Sequence, residues 1–132
     1  MKALAFWLAG FVVVFGGLAL IINAVRTTER VFVVVDSSFD MTQVWDQVPR
    51  ELDRLDDERF KEFALATEKD LIHTWAPSLD LAGVPPFAPC GFDEIEDHSE
   101  VREADELILI TTSGSCDTDS LTEAWEITLL EP

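Results

Sequence analysis

The chain has 132 residues and a formal charge of −17, from 26 acidic side chains against nine Lys and Arg. The charge lies almost wholly in one part: from Val31 onward 25 acids face six basic residues. Such a surface repels phosphate backbones and anionic headgroups, which disfavours nucleic acid as a partner and peripheral lipid binding.

The first element is the run Ala3 to Val25, uncharged throughout and apolar apart from Asn23. As a helix it measures roughly 34 Å, enough to cross a hydrocarbon core of about 30 Å. A signal peptide cut after Ala24 is the competing reading, but the apolar core of such peptides runs to only about 7–15 residues. The expectation is therefore a retained transmembrane helix over 1–26, a tether of 27–30, and one acidic domain over 31–132. Lys2 and the amino terminus oppose Arg26 and Arg30, so the flanking charges barely set an orientation. The short tail before the helix and the pair of cysteines behind it place the amino end inside and the domain outside the cytoplasm, in the periplasm if the cell is bacterial. Ala5 with Ala9, and Gly16-Gly17, form small-residue patches of the kind that let apolar helices pair.

Val31 to Asp36, VFVVVD, is a β-branched run of strand length, the pattern of a central strand buried on both faces. After a polar loop, Val44, Val48, Leu52 and Leu55 recur at helical spacing, and Pro49 is expected to kink or split that helix by opening a second segment. Phe60 to Thr67 and Leu71 to Trp75 read as two strands joined by the turn Glu68-Lys69-Asp70. Pro77 to Phe92 has four prolines and two glycines and is expected to be irregular. Asp93 to Asp105 is acid-rich, a solvated helix at most. Leu107 to Thr112 reads as another central strand, beside Val31–Val35. Trp125, Ile127 and Leu129 alternate as a last strand with one buried face. The layout is α/β: a small mixed or parallel central sheet flanked by helices, behind one transmembrane helix.

VFVVVDSSFDM, Val31 to Met41, resembles the opening of a von Willebrand factor A domain, where a buried strand ends in Asp-x-Ser-x-Ser-Met and begins a metal-ion-dependent adhesion site. Asp36, Ser38 and Met41 match that pattern, and Asp40 stands where the second Ser is expected. ADELILITTSG, Ala104 to Gly114, is similar to the family's later strand, normally closed by Thr-Asp-Gly, with Thr112 at the place of the Asp. FALATEKDLIHTW is similar to the family's second and third strands. The resemblance implies a truncated, Rossmann-like member with a degenerate Mg²⁺ site built from Asp36, Ser38, Asp40 and Thr112. Hydroxyl and carboxylate oxygens suit Mg²⁺ because it is a hard ion. The same Asp36 and Ser38 can equally serve to cap the loop and the start of the helix.

Cys90 and Cys116 are the only cysteines, both in loops rich in Gly, Pro, Ser and Asp. Outside the cytoplasm they read as a disulfide, two free thiols being the alternative. His73 and His98 have no second ligand at metal spacing. There is no nucleophile elbow, P-loop, GxGxxG or HExxH, so the reading is not an enzyme. The expected function is a membrane-anchored, extracytoplasmic protein-interaction module whose partner is another membrane or extracytoplasmic protein. The alternative is a structural accessory subunit held in a membrane complex through its transmembrane helix.

Overall fold

A computed structural model describes residues 11–20, 28–81 and 83–132. Residues 11–20 form a helix, α1, whose large apolar side chains are all exposed. The rest of the apolar segment expected over 1–26 lies outside the described residues. Among the described residues no helix is long and apolar enough to cross a membrane.

The domain is built on five strands: β1 (Glu29–Val35), β2 (Lys61–Thr67), β3 (Leu71–Ala76), β4 (Glu106–Thr112) and β5 (Trp125–Leu130). Their order is β3-β2-β1-β4-β5, with β3 antiparallel to β2 and every other pair parallel. The mixed α/β sheet is the expected one, and β1 lies at its centre beside β4. Val31 to Val35 are completely buried because covering layers lie on both faces.

One face carries Val31, Val33, Val35, Phe63, Leu65, Ile108 and Ile110, packed under the helical segment that follows β1. That segment opens as two 3₁₀ turns, Phe39–Gln43 and Trp45–Gln47, and becomes the α-helix α2 only at Val48–Asp56. Pro49 stands in the first turn of α2, where its missing N–H costs nothing, so it splits the helix as its position predicts. Val48, Leu52 and Leu55, four and three residues apart, form the buried stripe.

The other face carries Phe32, Val34, Ala64, Ala66 and Leu109. It is covered by Phe92 and Ile95, by Val101 and Ala104 around the short helix α3 (Ser99–Glu103), and by Cys116 and Leu121. The acid-rich stretch is therefore a cover over half the core: Ile95 is completely buried while Asp93, Glu94 and Asp97 beside it are exposed. Trp125 joins this cluster, but Ile127 and Leu129 are 41 % and 55 % exposed. The single buried face expected for β5 is thus not formed. As an edge strand it receives cover only at its first residue on this face, and at Leu130 on the other.

The connection from β3 to β4 runs as a strap around the sheet. Leu79 and Leu81 pack on the α2 face, and the Leu79 N–H donates to Asp56 Oδ1 at 3.2 Å. At the carboxyl edge Ala88 pairs with Ser38, its N–H donating to the Ser37 carbonyl at 3.0 Å. Phe92 and Ile95 then descend the opposite face. Cys90 forms a disulfide with Cys116, Cα atoms 5.3 Å apart, which ties this strap to the loop after β4.

Candidate functional site

In an open sheet ordered 3-2-1-4-5 the chain leaves β1 in opposite directions, so the crevice beyond the carboxyl ends of β1 and β4 is the natural ligand position. Here the residues of that crevice are bonded to one another. Asp36 emerges from β1 completely buried, its N–H donating to the Ile110 carbonyl at 2.9 Å. Its Oδ1 accepts the Ser38 N–H at 2.8 Å, and its Oδ2 accepts Thr111 Oγ1 at 2.7 Å and Ser115 Oγ as well. Ser38 Oγ and Ser115 Oγ are 3.0 Å apart. Ser115 Oγ also lies 3.6 Å from Cys90 Sγ and 3.8 Å from Cys116 Sγ, so hydroxyls and disulfide meet at one point.

A second buried carboxylate stands beside the first. Glu68, in the β2–β3 turn, accepts the Ser37 N–H at 2.7 Å and holds Ser37 Oγ at 2.9 and 3.0 Å from its two oxygens. A carboxylate is acceptor-only, so each buried oxygen must find donors within the chain. Glu68 finds both of its donors on Ser37, and Asp36 finds its own on Ser38, Thr111 and Ser115. The arrangement clamps the turn after β2, the loop after β1 and the loop after β4 into one unit.

The four residues expected as Mg²⁺ ligands fall into two groups. Asp36 and Ser38 belong to the network just described. Asp40 is exposed, and with Thr112, Ser113, Gly114 and Pro132 it lines a shallow hollow of about 210 Å³. Thr112 is buried and donates from Oγ1 to the Leu130 carbonyl at 2.8 Å. It is Thr111 that faces Asp36, because the register pairs Val35 with Ile110 and so carries Asp36 alongside Thr111. Among the described residues no three His, Cys, Asp or Glu side chains are grouped as a metal site. A cation at Asp36 would have to take oxygens that Thr111, Ser115 and the Ser38 amide already occupy, so the donor set does not fit Mg²⁺ as folded.

The same edge carries two exposed aromatic rings. Phe39 follows Ser38 and Phe87 precedes Ala88, so they flank the backbone bridge between loop and strap, 67 % and 72 % exposed. Nothing in the local sequence marks either ring as a surface feature beyond its place inside a polar or Pro-rich loop. Their exposure depends on the strap crossing at Ser38.

The opposite, amino edge is ionic. Lys61 Nζ lies 2.7 Å from Glu58, 2.8 Å from Glu106 and 3.7 Å from Glu29. Burial alone would lower the Lys61 pKa, but hydrogen bonds to Glu106 and Glu58 outweigh it and hold the ammonium above the usual lysine range. Arg30 reaches Glu103 at 3.1 Å and Glu62 at 3.6 Å, with its guanidinium 5.0 Å from the Trp75 ring centre. These two cations neutralise the ends of three adjacent strands, where five glutamates and Asp105 would otherwise repel one another.

Compared with family models, with curated proteins and with solved structures, the chain matches none.

Proposed function

We propose that this is a single-pass membrane protein whose acidic α/β domain is a non-catalytic protein-interaction module outside the cytoplasm. The observation that carries the reading is the pair Phe39 and Phe87, more than two-thirds exposed on an edge that the Asp36–Ser115 network, Glu68 and the disulfide make rigid. Large rings held on a fixed backbone lose little entropy on binding, which is why aromatic anchors dominate interface energetics. Asp40, Asp70, Asp93 and Asp117 lie in the loops of this edge, with Lys69 the one basic residue among them, so the partner it suits presents basic residues around an apolar centre. In this reading the anchor ends four residues before β1 begins at Glu29, and the Phe39–Phe87 edge lies at the other end of that strand.

The hairpin on one side of β1 and β4 on the other support a shortened von Willebrand factor A-like module, without the adhesion-site metal. The alternative, an accessory subunit assembled through its transmembrane helix, draws on the exposed apolar side chains of α1.

The two readings separate in one experiment. Cross-linking in native membranes is compared for the wild type, a Phe39→Ser/Phe87→Ser double variant, and a chain whose residues 3–25 are exchanged for an unrelated apolar helix. An interaction module loses its cross-linked partner in the double variant and keeps it after the helix exchange. The reverse pattern establishes the accessory subunit.

A further inference from the structure

Five large apolar side chains of the described domain are exposed, and only Phe60 lies at the amino edge. It is 50 % exposed, and its φ of 67° is left-handed, a conformation that favours glycine and asparagine and is unusual for a bulky side chain. The backbone is held there from both sides. The Glu29 N–H donates to the Phe60 carbonyl at 3.1 Å, and Lys61 next to it begins β2 within its ion-pair cluster. Residues kept in sparsely populated conformations by their surroundings concentrate at functional surfaces.

The hydrogen bond to Glu29 also fixes where Phe60 sits relative to the apolar segment. Four residue steps separate Val25 from Glu29, and whatever path they take they span at most about 14 Å. The headgroup region on each side of a bilayer is roughly 5–7 Å deep. The amino edge is therefore leashed at or just above the headgroups of any membrane that holds Ala3–Val25. Arg59, beside Phe60, is exposed and forms no ion pair among the described residues, whereas Glu29, Glu58, Glu62, Glu103 and Glu106 are all drawn towards Lys61 or Arg30.

We propose that Phe60 and Arg59 form a second contact with the lipid surface, the ring entering the headgroup–acyl boundary and the guanidinium meeting a lipid phosphate. The partner is a zwitterionic bilayer, since the acidic domain repels an anionic one. This contact rests on the retained-anchor reading, and it sets the domain's tilt so that Phe39 and Phe87 face outward.

The test uses the unmodified full chain in phosphatidylcholine nanodiscs that contain a lipid spin-labelled high on its acyl chain. Backbone amide signals of Arg59 to Lys61 should broaden more than those of Asp105 and Glu106 at the same edge, and far more than those of Ser38 to Asp40. In Phe60→Gly, which suits the backbone conformation, the excess broadening at 59–61 should disappear while the fold is kept. Equal broadening along the whole amino edge, with the chain incorporated in the disc, overturns the contact and leaves the anchor intact. A chain that fails to float with phosphatidylcholine vesicles overturns the anchor reading and this contact with it.

Discussion

Asp36 and Ser115, 79 residues apart in the chain, are bonded directly, Ser115 Oγ donating to Asp36 Oδ2. This bond joins the end of β1 to the loop after β4 and closes the crevice between them. Because Asp36 is completely buried, removing its carboxylate leaves the Ser38 amide and two hydroxyls without an acceptor. Asp36→Ala should therefore cost about 2–4 kcal/mol and Ser115→Ala about 1 kcal/mol, read from urea unfolding. A neutral Asp36→Ala would show that the network does not hold the edge.

A saturated Asp36 also bears on metal. Millimolar Mg²⁺ or Mn²⁺ should leave the melting temperature where a chelator at matched ionic strength puts it. A rise that vanishes in Asp36→Ala would restore the adhesion-site reading, with Ser38 and Ser115 as its oxygen partners.

The disulfide closes a loop of 26 residues between Cys90 and Cys116. In the chain-entropy account, breaking it should lower stability by about 3.5 kcal/mol. The strap has little regular structure of its own, so the loss should begin locally. Hydrogen exchange under reducing conditions should speed up first at residues 85–92 and 113–120, before β1 and β4. Uniform exchange would mean that the strap and sheet unfold together.

Lys61 gives the domain an alkaline limit. Its folded-state pKa lies above the ordinary 10.5, so the stability it contributes is complete below that value and is lost as pH rises past it. Lys61→Met should destabilise the domain by about 1–3 kcal/mol near neutral pH, because three carboxylates lose their common partner. It should also flatten the alkaline limb of the stability curve. An unchanged limb in the variant would assign it to another group.

At the acid end Glu96 contributes to stability. The Thr122 N–H, 3.0 Å away, is the main cause that holds its carboxyl below the usual 4.5, with the Trp125 indole N–H at 3.2 Å assisting. A depressed carboxyl contributes stability above its unfolded value and loses it as pH falls through the folded one. Melting temperatures measured downward from pH 4.5 should fall less steeply in Glu96→Gln than in the wild type. Parallel curves would contradict this.

Much of the fold is legible in particular residues. Val31–Val35 and Leu107–Ile110 are apolar at every position, which only a strand covered on both sides tolerates, and both lie at the sheet's centre. Pro49 marks the start of α2 because its ring excludes it from a helix interior. Glu68-Lys69-Asp70 is short enough that β2 and β3 can only return as a hairpin. These signals are local, and local chemistry is enough to generate them.

The closed crevice is of another kind. Whether Asp36 faces Thr111 or Thr112 depends on a one-residue choice of register between strands 75 positions apart, and side chains alternate faces at every step. Ile127 and Leu129 stand exposed although they alternate like buried residues, because the covering layer reaches only Trp125. Ser115, Glu68, Phe39 and Phe87 look like ordinary loop residues until the strap from β3 crosses at Ser38. The sequence by itself determined which segments are strands, where the helix opens, and that a charge-free run precedes an acidic domain. Only the tertiary structure decided that the crevice is filled by the chain's own donors and that two rings are left outside it. Those outcomes depend on which distant segments come within about 3 Å of one another, the distance at which hydrogen bonds form.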